Sequence, residues 1–140
     1  MLLNDVVRMV NEKLAGELLT FNELKDHLDA TIDDINARLD STFPTFGEFH
    51  ESYTQEPDYN FFPDKYIRSV VINGAAFYFF MVDEEGSEVA PAFAREYEKN
   101  MFIMERDFID KVPEDYQADN TGSLTNPPQY GVPAFYKELF

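Results

Sequence analysis

Residues 63–82 read as a helix with almost no polar side to give to water. Ile67, Val70, Val71, Gly74, Phe77, Tyr78, Met81 and Val82 leave little room for a solvated stripe, and a helix apolar all round is stable only when other elements enclose it. Its most apolar run, 70–82, holds 13 residues and includes Asn73, whereas a bilayer asks for about 20. The chain must therefore supply the cover itself. Pro63 suits a first helical turn, and Asp64 sits where the helix dipole favours an acid. Gly74, Ala75 and Ala76 lack bulk, so another helix can approach closely there, offsetting about 1 kcal/mol of helix propensity lost at the glycine.

Three further helices can provide the cover. Leu3, Val6, Val7, Val10 and Leu14 form one apolar stripe, and Gly16 is placed to stop it. Thr20 and Glu23 make a capping box, with Leu19 and Leu24 positioned as a hydrophobic staple. A helix starting at Phe21 then places Phe21, Leu24, Leu28, Ile32, Ile35 and Leu39 on one side. Asp26, Asp29, Asp33 and Asp40 fall on a neighbouring face, where mutual repulsion weakens the helix unless its apolar side is packed. After a turn at 83–86, Ser87 is a fair cap for a fourth helix, with Pro91 in its opening turn. Ala90, Phe93, Tyr97, Met101, Met104 and Phe108 share one side of it. Only 66–71 and 77–82 have strong β-propensity, and neither alternates apolar with polar. The expected fold class is all-α: a small four-helix bundle over residues 1–112.

Two segments stand apart. Residues 41–62 contain Pro44, Gly47 and Pro57, no Lys or Arg, and the aromatics Phe43, Phe46, Phe49, Tyr53, Tyr59, Phe61 and Phe62. A connection of that length either wraps the bundle or touches a neighbour. Residues 113–140 hold Pro113, Pro127, Pro128 and Pro133, break at Gly122 and Gly131, yet carry Tyr116, Tyr130, Phe135, Tyr136 and Phe140. Prolines deny this segment a continuous helix or a central strand. So many aromatics in such a stretch suggest an extended arm that orders on a partner.

The net charge of −16 is uneven. Between Glu17 and Asp64, twelve acids face Lys25 and Arg38, and 2 − 12 leaves −10 there. Such a surface repels phosphates, which excludes a basic DNA-binding groove. It either confers solubility or lines a passage through which a polyanion slides without sticking. The absence of cysteine rules out disulfides and thiolate metal sites and is compatible with a reducing cytoplasm. The start, Met-Leu-Leu-Asn-Asp, lacks the basic and long apolar stretches of a signal peptide, so no export is expected.

Catalytic chemistry has little to stand on. His27 and His50 are the sole histidines. Asp29 and Asp33 lie one turn apart, but no calcium-loop spacing accompanies them. No phosphate loop, nucleophile elbow or zinc spacing is present. The expectation is a non-enzyme with no cofactor and no metal.

Tyr59-Asn-Phe-Phe-Pro-Asp-Lys-Tyr-Ile-Arg-Ser-Val-Val, Gly74-Ala-Ala-Phe, Asp83-Glu-Glu-Gly and Arg95-Glu-Tyr-Glu-Lys-Asn-Met-Phe-Ile-Met-Glu-Arg-Asp follow one another in an order that resembles the small head-to-tail connector proteins of tailed bacteriophages, also called adaptor or head completion proteins. The likeness covers roughly residues 20–110. It implies a helical subunit of a neck ring, commonly of twelve copies, beneath the portal protein, with a C-terminal segment docked on the portal. The likeness carries over to segments and not to single residues; within the arm its aromatics Tyr116, Tyr130, Phe135, Tyr136 and Phe140 are the candidates for binding the portal. On the same reading Phe43, Phe46, Phe49 and Tyr53 form a loop between subunits, and Asp26, Asp29, Asp33 and Asp40 line a DNA channel. Partners would be the portal, neighbouring copies and a stopper or tail-completion protein; DNA passes without being specifically bound, and no membrane is involved. The protein would be made in the bacterial host cytoplasm and reside in the virion. A rival reading is an acidic inhibitor that mimics DNA in the basic cleft of an enzyme; such a mimic has no need of an apolar arm.

Overall fold

The computed structural model describes residues 1–51, 58–61, 63–83 and 88–118, with the side chains of His50 and Glu51 outside that description. It is all-α: the described residues form no strand, and two isolated bridges, Leu2 with Asp58 and Ser41 with Gln117, are the extent of β pairing among them.

Helix α1 (Leu3–Lys13) buries Leu3, Val6 and Val10. It stops where Ala15 and Gly16 both turn left-handed, at φ 63° and 88°; the alanine bears a steric cost there that a glycine escapes. Asn11 fixes the exit, its side-chain amide donating to the Leu19 carbonyl at 2.9 Å and its oxygen accepting from the Leu19 N–H at 3.0 Å. Helix α2 (Phe21–Leu39) begins with the expected capping box, Thr20 and Glu23 satisfying each other's backbone donors. Its inward side is Leu24, Leu28, Thr31, Ile32, Ile35 and Leu39, all buried. Each of the large aliphatic side chains contributes about 1.5–3 kcal/mol by leaving water.

The segment after α2 is not a plain loop. Asn36 pins its start by accepting from the Phe43 N–H at 2.9 Å and donating to the Phe43 carbonyl at 2.9 Å. A short helix, α3 (Phe46–Glu51), follows. Thr45 and Glu48 exchange side-chain-to-backbone bonds of 3.0 and 3.2 Å at its entry, a second capping box. Phe43, Phe46, Phe49 and Tyr59 are all buried, with Phe46 stacked on Tyr59 at 4.2 Å and Phe49 edge-on to it at 5.3 Å.

The long apolar helix is built in three pieces: α4 (Asp64–Tyr66), a π-helical turn (Ile67–Val71) and α5 (Ile72–Val82). The wide turn displaces the regular backbone pattern, and the buried Asn73 amide donates to the Ser69 carbonyl at 2.9 Å. Helix α5 packs against α1, α2 and α6. At Gly74 a Cβ would lie 2.5 Å from Tyr97 Cε1 and 2.6 Å from Thr31 Cγ2, so the close helix crossing expected at this glycine is present.

Helix α6 (Ala90–Phe108) has Pro91 in its first turn and buries Ala90, Tyr97, Met101, Met104 and Phe108. Ser87 lies outside the described residues, and Val89 occupies the cap position. Beyond α6 come two 3₁₀ turns, Ile109–Lys111 and Glu114–Tyr116. The body does not end at residue 112, as the sequence suggested. Thr42 N–H donates to the Tyr116 carbonyl at 2.7 Å, and Ala118 N–H donates to the Asp40 carbonyl at 2.9 Å, so residues 113–118 belong to the body.

Candidate interaction surfaces

Helix α5 leaves the core along its length. Residues 72–76 are buried and 77–80 half-buried, while Met81 is 52% and Val82 69% exposed. Its expected full enclosure therefore holds for the first half only. The aromatic steps between bare and buried are ordered by one another. Phe80 stacks on Phe93 at 5.3 Å, Phe79 meets Phe80 edge-on at 5.5 Å, and His27 meets Phe79 edge-on at 6.0 Å. Burial holds the His27 imidazole below its usual range, with Asp26 opposing that shift, so it serves here as a neutral ring. With Val89 also exposed, the end of α5 and the entry to α6 present several exposed apolar side chains among the described residues, of the kind that can mark a contact with another protein.

Beneath that surface the three helices are tied by one carboxylate. Asp34 on α2 accepts from the Tyr97 hydroxyl of α6 at 2.7 Å and from the Tyr78 hydroxyl of α5. Burial first, and Asp34 second, push both phenols well above their usual range. Neither tyrosine can act as a nucleophile or base near neutral pH. The arrangement is an anchor built from two charge-assisted bonds. On its flank Arg38 pairs with Glu98 and, at 3.6 Å, with Glu105, joining α2 to α6 again.

The four aspartates expected on a channel wall part company. Asp26 and Asp33 are exposed. Asp29 is half-buried and accepts from the Gly47 N–H at 3.0 Å, capping α3 from a distance of eighteen residues. Burial raises its carboxyl above the usual range, an effect the Gly47 N–H and Lys25 oppose. Asp40 is the left-handed C-cap of α2, at φ 53°, and its carbonyl holds Ala118. Asp26, Asp33 and Asp40 are thus all exposed, Asp40 acting in the fold through its backbone, while Asp29 is half-buried on the Gly47 N–H of its own subunit.

The expected loop between subunits is corrected in the same way. Phe43, Phe46 and Phe49 are core residues of their own chain and offer a neighbour no surface. Tyr53 lies outside the described residues. Tyr116 is half-buried, stacked on Phe43 at 5.2 Å and edge-on to Phe61 at 5.2 Å, so it closes its own core instead of reaching for a portal. Tyr130, Phe135, Tyr136 and Phe140 lie outside the described residues.

A polar cleft of about 440 Å³ opens beside α1, bounded by Asp5, Arg8, Asp58, Asp64 and Arg68. Its charges largely answer one another. The Met1 ammonium meets Asp58 at 2.8 Å and Asp64 at 3.2 Å, and Arg8 meets Glu12 at 3.2 Å and Asp5 at 3.5 Å. Among the described residues no three acids or histidines stand close enough to hold a metal ion, and no helix is long and apolar enough to cross a membrane.

Sequence reasoning missed the Asp34 anchor, the Asp29 cap and the bare end of α5. The signal for the first was faint: Tyr78 stands one turn beyond Gly74, on the side where α6 must approach. Comparison of the chain with protein-family models, curated proteins and solved structures finds no match in any of the three.

Proposed function

We propose that this chain is a structural protein of the tailed-phage virion: a head-to-tail adaptor whose copies form a ring, of twelve on the connector likeness, between the portal and the stopper or tail-completion protein. In this reading the four longer helices act as a bundle, residues 119–140 form the portal-docking arm, and the genome passes through the ring without specific binding. The protein is made in the host cytoplasm, carries no cofactor and catalyses nothing. The observation that carries the reading is the bare end of α5: Met81, Val82 and Val89 lie exposed beside half-buried Phe79, Phe80 and Phe93, in a chain that has buried its other large aromatics of residues 43–49. A free-standing inhibitor gains nothing from such a surface, whereas an assembly subunit needs one. The ordered sequence cues between residues 59 and 107 and the acid excess point the same way.

The test is direct mixing. The full chain should co-sediment with the purified portal ring of its phage and add a ring of density at the portal's tail side in electron micrographs. A chain that ignores the portal and instead displaces DNA from a nuclease or repressor would replace this reading with the DNA-mimic one.

A further inference from the structure

Helix α6 turns a second, different face outward. Arg95, Lys99, Phe102 and Arg106 are all exposed, Phe102 at 62%, and at about 100° per residue they fall within an arc of about 60°, opposite the buried side of the helix. Arg106 pairs with the adjacent Asp107 at 3.0 Å. Arg95 and Lys99 have no ion-pair partner among the described residues. Four of the chain's 11 cations, with Lys111, lie on or just past this one helix, which is otherwise bordered by acids.

Helix α2 carries the reciprocal face. Asp26 and Asp33 are exposed, Ala37 is exposed and Ala30 half-buried, and the two aspartates also have no ion-pair partner among the described residues. The cations α2 does carry are engaged inward: Arg38 binds Glu98 and Glu105, and the Lys25 side chain lies over Gly47. Both stripes point outward, so they cannot meet within one chain.

Their spacing matches. On α6, Lys99, Phe102 and Arg106 are three and four residues apart; on α2, read backwards, Asp33, Ala30 and Asp26 are also three and four apart. Each set spans about 10 Å along its helix. We infer that copies of this chain bind one another head to tail, α6 of one antiparallel to α2 of the next, with Lys99 on Asp33, Phe102 over Ala30 and Arg106 on Asp26. Opposite faces on one chain make a heterologous contact, which closes into a ring when the rotation allows. The biological setting rests on the adaptor reading, and the contact moves Asp26 and Asp33 from the channel wall to the joint between subunits.

The chain contains no cysteine, so introduced thiols report unambiguously. Full-length Asp33→Cys and Lys99→Cys chains, mixed in equal amounts and oxidised both in concentrated solution and on the phage's portal ring, should give about tenfold more covalent dimer than Asp26→Cys with Lys99→Cys; without thiols, reversing Asp26 and Asp33 to Lys should weaken association by a similar factor at low salt. Adding Lys99→Glu and Arg106→Glu to that same reversed chain should restore association. Equal yields from matched and mismatched thiols, or no dimer in portal-bound chain, overturn this contact and leave the adaptor reading standing. Matched dimers from a chain that never binds the portal overturn the adaptor reading alone. Neither dimer nor portal binding overturns both.

Discussion

Tyr97 is the residue on which three helices depend: its ring lies against Gly74 and its hydroxyl reaches Asp34. Tyr59, stacked on Phe46, plays a similar part under the α3 segment. Both phenols are held neutral beyond their ordinary value of about 10, chiefly by burial, with Asp34 adding to the effect at Tyr97 and Asp29 at Tyr59. The sign of the consequence is fixed. Below about pH 10 folded and unfolded chains both keep these protons and stability does not respond to them; above it the unfolded chain releases protons the fold retains, and stability falls. The slope approaches about 1.4 kcal/mol per pH unit for each buried tyrosine. Urea unfolding followed from about pH 8 to pH 11 should therefore show a decline that steepens above about pH 10, the gentler fall before it coming from the Met1 ammonium, which, against the effect of burial, Asp58 and Asp64 hold above its ordinary range. Tyr97→Phe should start about 1–2 kcal/mol lower, having lost one charge-assisted bond, yet decline less steeply. Equal slopes for the two proteins would show that Tyr97 ionises in the fold as it does in water.

At the scale of elements, α5 separates stability from association. Met81→Ser together with Val82→Ser removes apolar surface that is already in water, so unfolding free energy should stay within about 0.5 kcal/mol of the parent, while co-sedimentation with the portal should fall sharply. Thr20→Ala should do the reverse, costing about 1 kcal/mol through the lost α2 cap and leaving association intact. If the serine pair weakens folding and spares assembly, the bare end of α5 belongs to the fold and not to a partner. How far such elements can be read in advance depends on how local their causes are. Helix α2 is legible because Thr20, Glu23 and its apolar side all lie within it. Thr45 and Glu48 repeat the same capping pattern, but Pro44 and Gly47 beside them argue for a loop, and the bond that settles α3 comes from Asp29 on another helix. The small residues Gly74, Ala75 and Ala76 mark the first half of α5 for close approach, but nothing in the equally apolar second half says that it is left bare. That is decided by where α1, α2 and α6 end, which is a property of packing.

For the whole molecule, −16 charges on 140 residues mean that compactness is opposed by self-repulsion throughout, and the closing contacts at the chain's far end gain importance. Residues 113–118 pair with 40–42 and lay Tyr116 over Phe43 and Phe61. The sequence presents residues 113–140 as one arm, because Pro113 is followed by other prolines; the structure splits it at the docking of Tyr116, which depends on Phe43 and Phe61, both far earlier in the chain. Two truncations distinguish the parts. Removing residues 119–140 leaves every described contact in place and should preserve the melting transition while abolishing portal binding. Removing residues 113–140 also strips Tyr116 from the core and should lower stability by about 2–3 kcal/mol, seen as an earlier melt and increased binding of a hydrophobic dye. A shorter chain ending at residue 118 that still binds the portal would place the docking function in the body, and the bare end of α5 would then be the surface to mutate next.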